Sequence, residues 1–147
     1  MNLLDTDIII EMLRERKHEV GAISIITLTE VLRGLEARKR VKVKELLEES
    51  FNLLNLDNDV IETYCNLYHK LKEEGIPIPD ADLLIAATAM SHHIALKTKD
   101  KHFERLRHLG LKLEQAPKEQ REQTNPTQKL DRIRQQKTNT QQISFNG

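Results

Sequence analysis

The chain has 147 residues, 31% charged, 38% hydrophobic and only 3% aromatic, with 23 Lys/Arg against 23 Asp/Glu. This is long enough for one domain whose core is built from Leu, Ile, Val and Ala. The balance is uneven: from Gln115 onward there are six Lys/Arg and three Asp/Glu, which leaves 17 against 20 in the first 114 residues. A mildly acidic body argues against a purely electrostatic nucleic-acid binder and permits an acidic metal site.

Cys65 is the only cysteine, so no intrachain disulfide can form, and it is expected to pack within its helix. No stretch approaches the roughly 18 apolar residues of a membrane span, and Met1 to Asp5 lacks the pattern of a signal peptide. These features together imply a reducing, cytoplasmic setting without a membrane partner.

In chain order, Asn2 to Leu4 reads as a short buried strand. Asp5-Thr6-Asp7 is a turn or cap signal before a helix from Ile8 to Arg16. Gly21 to Ile26 is a second strand, and Thr27 to Arg38 a helix with Leu28, Val31, Leu32 and Leu35 at helical spacing. The basic run Arg38 to Lys44 reads as a link into a helix over Val43 to Ser50. Phe51 to Leu56 is a third strand. Asp57 to Glu74 follows as a long helix, capped near Asn58 or Asp59 and stopped by Gly75.

Pro79 disfavours helix upstream of itself, so the apolar, Ala-rich segment Pro79 to His92 starts a new helix with Asp80 and Asp82 in its first turn. Ile94 to Thr98 is a fourth strand, and Lys99 to Lys101 a turn into a short helix from His102 to Leu109. Gly110 ends that helix, and Leu111 to Leu113 adds an edge strand. Strands alternating with helices imply an α/β fold with a mostly parallel sheet covered on both faces. Residues 115–147 are Gln-rich and poor in apolar side chains, and are expected to form a mostly disordered tail beyond a domain over 1–114.

Four acids fall where strands end or helices begin: Asp5, Glu30, Asp82 and Asp100. In a parallel sheet all four lie towards one edge, the carboxyl ends of the strands, where ligands bind. Clustered carboxylates resist ionising together unless a cation neutralises them. Hard oxygen donors of this kind suit Mg²⁺ or Mn²⁺. Each acid also has a plainer role open to it. Asp5 or Asp7 can cap the first helix. Thr27 to Glu30 matches a capping box, Asp80 suits an N-cap, and Asp100 suits a turn.

Four segments resemble PIN-domain ribonucleases, and most closely the VapC-type toxins of toxin–antitoxin pairs. They are Leu3-Leu4-Asp5-Thr6-Asp7, Ile26 to Gly34, Ile78 to Ala89 and Thr98 to Phe103. The resemblance covers about the first 114 residues and implies a three-layer α/β/α PIN-like fold. It implies that Asp5, Glu30, Asp82 and Asp100 hold Mg²⁺ or Mn²⁺ for RNA hydrolysis by metal-activated water, with the Thr98 hydroxyl nearby. It further implies a VapB-type antitoxin and a homodimer. Two positions depart from the pattern: Asp7 is commonly Asn, and His102 stands where an acid is often found. Asp80 is then left as the helix cap.

Lys97, Lys99, Lys101 and the cluster from Arg38 to Lys44 are the expected contacts to the RNA backbone. The six histidines lack a usual zinc spacing. A PIN nuclease of RNA processing without an antitoxin, and a nuclease-inactive binding module, remain alternatives at this level.

Overall fold

The computed structural model describes residues 1–115, with the side chain of Gln115 outside the description. Five strands are formed: β1 (Leu3–Leu4), β2 (Ala22–Ser24), β3 (Asn52–Leu54), β4 (Leu96–Thr98) and β5 (Leu113–Gln115). The helices are α1 (Thr6–Glu15), α2 (Ile25–Arg33), α3 (Ala37–Ser50), α4 (Asn58–Glu74) and α5 (Asp80–Ser91), followed by a 3₁₀ helix at Lys101–Leu109. The expected tail lies outside the described residues, apart from Gln115, which ends β5.

The sheet order is β3-β2-β1-β4-β5, and every pairing is parallel. The chain therefore runs outward from β1 through β2 to β3, then returns to the other side of β1 to lay down β4 and β5. The reversal falls between β1 and β4, the position at which such sheets open a crevice at their carboxyl ends.

Short apolar strands suffice because both faces are covered. Side chains alternate across each strand. Leu3, Ala22 and Leu96 enter one core with α4, α5 and the 3₁₀ helix, while Leu4 and Ile23 enter a second core with α1, α2 and α3. Helix α5 suits this position because Ile85, Ala86, Ala87 and Ala89 are fully buried, and small side chains let it lie close to its neighbours. Gly21 meets the same crowding. A Cβ there would lie 2.9 Å from the Asn2 carbonyl oxygen and 3.0 Å from Leu4 Cγ.

Several local expectations are corrected. Helix α1 begins at Thr6 rather than Ile8, because the Asp5 carboxylate accepts the Thr6 N–H and caps it. The Thr27–Glu30 capping box does not form. Helix α2 starts at Ile25, and the Ser24 hydroxyl accepts the Ile26 N–H. The basic run from Arg38 to Lys44 is the first half of α3 rather than a link: Lys and Arg are good helix formers, and their side chains face solvent.

Helix α4 is capped by Asp57, one residue before the expected position, through the Val60 N–H. Asp80 is not a cap. Pro79 occupies that position, and the Asp80 carboxylate accepts a 2.8 Å hydrogen bond from the Tyr64 hydroxyl, tying α5 to α4. Cys65 is exposed rather than packed. Among the described residues no helix is long and apolar enough to cross a membrane.

Candidate active site at the carboxyl edge of the sheet

Asp5 leaves β1, the central strand, and is 6% exposed. Its backbone N–H donates to the Lys97 carbonyl (3.0 Å), which continues the β1–β4 ladder up to the site. Asp5 Oδ1 accepts the Thr6 N–H (2.8 Å), and Oδ2 accepts the Thr98 hydroxyl (2.6 Å). Thr98 Oγ1 in turn accepts the Asp100 N–H at 2.9 Å. One buried hydroxyl at the end of β4 thus fixes both Asp5 and the backbone that carries Asp100.

Asp100 caps the 3₁₀ helix through the His102 N–H (2.9 Å), and His102 Nδ1 lies 2.7 Å from the same Asp100 oxygen. The turn role foreseen for Asp100 and its place at the sheet edge therefore coexist. Glu30 sits on α2, facing α1: its Oε1 accepts the Thr6 hydroxyl at 2.8 Å. Its Oε2 lies 3.4 Å from Arg33 Nη2. Asp82, in the first turn of α5, completes the group from the opposite helical layer.

Asp7 belongs to the same constellation. Its Oδ1 accepts the Ile8 N–H (2.8 Å) and its Oδ2 the Lys99 N–H (3.1 Å), joining the start of α1 to the exit of β4.

These carboxylates sense one another. Burial pushes Asp5 up from 3.8 to about 7; the Thr98 and Thr6 hydrogen bonds oppose this, and the charges of Asp7 and Asp82 add to it. Burial also raises Asp7, which Asp100 pushes further, against the two backbone N–H bonds. Asp82 is raised by burial and then by Asp100 and Glu30, with His102 opposing. All four expected acids, together with Asp7, therefore share one electrostatic neighbourhood. Among the described residues, however, no three His, Cys, Asp or Glu side chains are drawn close enough together to hold a metal ion as they stand. Four carboxylates and a hydroxyl are still a hard-oxygen donor set, the chemistry that suits Mg²⁺ or Mn²⁺.

The expected cations are less available than the sequence suggests. Lys97 Nζ is 2.5 Å from Glu19, its side chain 17% exposed, and Lys99 pairs with Glu11. Lys101 and the α3 cluster remain exposed, with Arg38 on Glu36 and Lys44 on Glu48. The residues that sequence reading passed over are Thr6, whose hydroxyl reaches Glu30, and Ser24, the true cap of α2. For Ser24 the signal was present, since a serine directly before an apolar helix is a good N-cap.

The PIN domain family profile matches residues 3–109. The chain belongs to the PIN-domain family. Its PIN domain is 41% identical over 115 residues to Ribonuclease VapC1 of Methanocaldococcus jannaschii, covering 76% of this chain and 85% of the relative. It is 33% identical over 122 residues to Toxin FitB of Neisseria gonorrhoeae, covering 68% and 88%. Among solved structures, VapBC-1 from nontypeable Haemophilus influenzae superposes with a TM-score of 0.67 at 27% identity, covering 78% of this chain and 96% of that one. The PIN-like α/β/α architecture foreseen in the sequence is thus found both in the family match and in the fold.

Proposed function

We propose that this PIN-domain protein is an endoribonuclease toxin of the VapC kind. It hydrolyses RNA phosphodiesters with Mg²⁺ or Mn²⁺ and is neutralised by a VapB-type antitoxin in the cytoplasm. The observation that carries the chemistry is Asp5: a buried carboxylate at the switch point of the sheet, raised to about 7 beside two further acids. Such a group stays ionised at neutral pH most readily when a cation faces it. The ribonuclease assignment is supported by likeness to proteins named Ribonuclease VapC, and the antitoxin by likeness to a VapBC structure.

Asp5, Glu30, Asp82 and Asp100 would hold the ion. When bound, such an ion polarises a phosphoryl oxygen and makes a water acidic enough to attack in line. The chain's own part is positional. Thr98 aims Asp5, its acceptance of the Asp100 N–H sets the direction of that residue, and the first turn of α5 carries Asp82, which feels the charges of Asp100 and Glu30. A covalent nucleophile is not required.

The deciding experiment is sequencing of RNA 5′ ends after induced expression, with Asp82→Asn as the control. New ends at defined positions in the wild type only are expected. Identical RNA ends in the two strains would overturn the reading.

A further inference from the structure

We infer that Thr6 is a positioning residue: through its hydroxyl it sets the rotamer of Glu30 and so the readiness of the acidic edge to take a divalent ion. This rests on the metal-dependent reading above. Glu30 is the one candidate ligand that reaches the edge from the middle of a helix rather than from a strand exit or a helix start. Three side-chain torsions separate its carboxylate from α2, and restraining a long side chain of this kind has an appreciable entropic cost.

Two groups compete to orient it. Arg33, one turn further along α2, approaches Oε2 at 3.4 Å, but its own side chain is 72% exposed and this contact draws the carboxylate along the helix surface. Thr6, from the first turn of α1, donates to Oε1 at 2.8 Å. Thr6 lies next to Asp5, so it draws Glu30 towards the strand exit.

Thr6 is itself held. Its branched Cβ restricts χ1, and its Oγ1 lies 3.3 Å from Oγ1 of Thr27, which is fully buried on the inner side of α2. Thr27, Thr6 and Glu30 form a chain of polar contacts joining the two helices beside the site. Groups that orient a metal ligand in this way typically change affinity or activity by 10–100-fold when removed.

The test is Mn²⁺ binding by calorimetry on the full chain, with RNA cleavage measured in parallel. Thr6→Val keeps the shape and removes the donor, and is expected to weaken Mn²⁺ binding by about tenfold. Thr6→Ser keeps the donor and is expected to restore wild-type affinity. Thr29→Val removes a hydroxyl on the same helix that bonds the Ile25 carbonyl, and should leave affinity unchanged. Equal Mn²⁺ affinity in wild type and Thr6→Val would overturn the role of Thr6 while leaving the metal-dependent reading intact. An equal loss in Thr6→Val and Thr6→Ser would also overturn it, since the hydroxyl would then not be what matters. Absence of Mn²⁺ uptake by the wild type would overturn the metal reading, and this role with it.

Discussion

The Thr98 hydroxyl donates a 2.6 Å hydrogen bond to Asp5 Oδ2, across the two adjacent strands between which the sheet reverses its order. Both residues are buried, and Thr98 Oγ1 also accepts the Asp100 N–H. Thr98→Val removes donor and acceptor together and leaves a buried carboxylate oxygen unpaired. The expected cost is about 1–3 kcal/mol in urea unfolding, with a fall in RNA cleavage. Unchanged stability would mean that this bond does not organise the edge.

The raised carboxylates fix the sign of the pH dependence. Asp5 titrates near 7 when folded against 3.8 when unfolded, so between these values the folded state holds more protons. Its stabilising contribution is complete below 3.8 and is lost as pH rises through about 7. Asp7 and Asp82 shift in the same direction. In EDTA, the wild type is expected to be more stable at pH 5 than at pH 8 by denaturant titration. Asp5→Asn should flatten that slope, stabilise the metal-free protein at pH 8 and abolish RNA cleavage.

Divalent ions should reverse this trend. Ligands must be deprotonated to bind, so Mn²⁺ should raise the melting temperature more at pH 8 than at pH 5. At one hundred times its Kd the gain is about 2.7 kcal/mol. Asp82→Asn should reduce that gain sharply; an identical shift in the variant would exclude Asp82 as a ligand.

Asp80 and Asp82 are expected to separate by function. Asp80 accepts the Tyr64 hydroxyl on an exposed surface. Tyr64→Phe should cost about 0.5–1.5 kcal/mol of stability at most, and Asp80→Ala should retain most of the cleavage rate. Asp82→Ala should lose it. Equal losses at the two positions, measured on one RNA substrate, would contradict this division.

At Gly21 the constraint is steric. An added Cβ meets the Asn2 carbonyl oxygen at 2.9 Å, the same atom that accepts the Ala22 N–H and joins β2 to β1. Gly21→Ala should destabilise by about 1–3 kcal/mol in urea unfolding, the usual range for overpacking.

The layered fold was legible because the signals for it are local. Apolar runs such as Leu3-Leu4 and Ala22-Ile23 can be buried on both faces only in a covered sheet, and Gly75 and Pro79 mark breaks between helices. The start of α2 was ambiguous in the sequence, because Ser24 and Thr27 are both competent caps. What decides between them is that β2 stops pairing with β3 at Ser24, a non-local fact. Asp5 and Asp100 were legible because each follows a strand exit, and Asp82 because it opens a helix. Glu30 lies in the middle of α2 and was placed only by assuming that this helix starts later than it does. The partners of these acids were not legible. Thr6 with Glu30, and Tyr64 with Asp80, are contacts between separate helices that no spacing along the chain encodes. The pairing of Lys97 with Glu19 depends likewise on where the segment between α1 and β2 comes to rest beside β4.

The strand order also sets a timetable. Asp5 leaves the ribosome 93 residues ahead of Thr98, its hydrogen-bond partner. Until β4 emerges, the central strand has a neighbour on one side only, and the acidic edge lacks Asp100 and the Thr98 hydroxyl that holds Asp5. A protein laid out in this order cannot assemble its acidic edge while its first three strands are being made: the edge closes only when the fourth strand arrives beside the first.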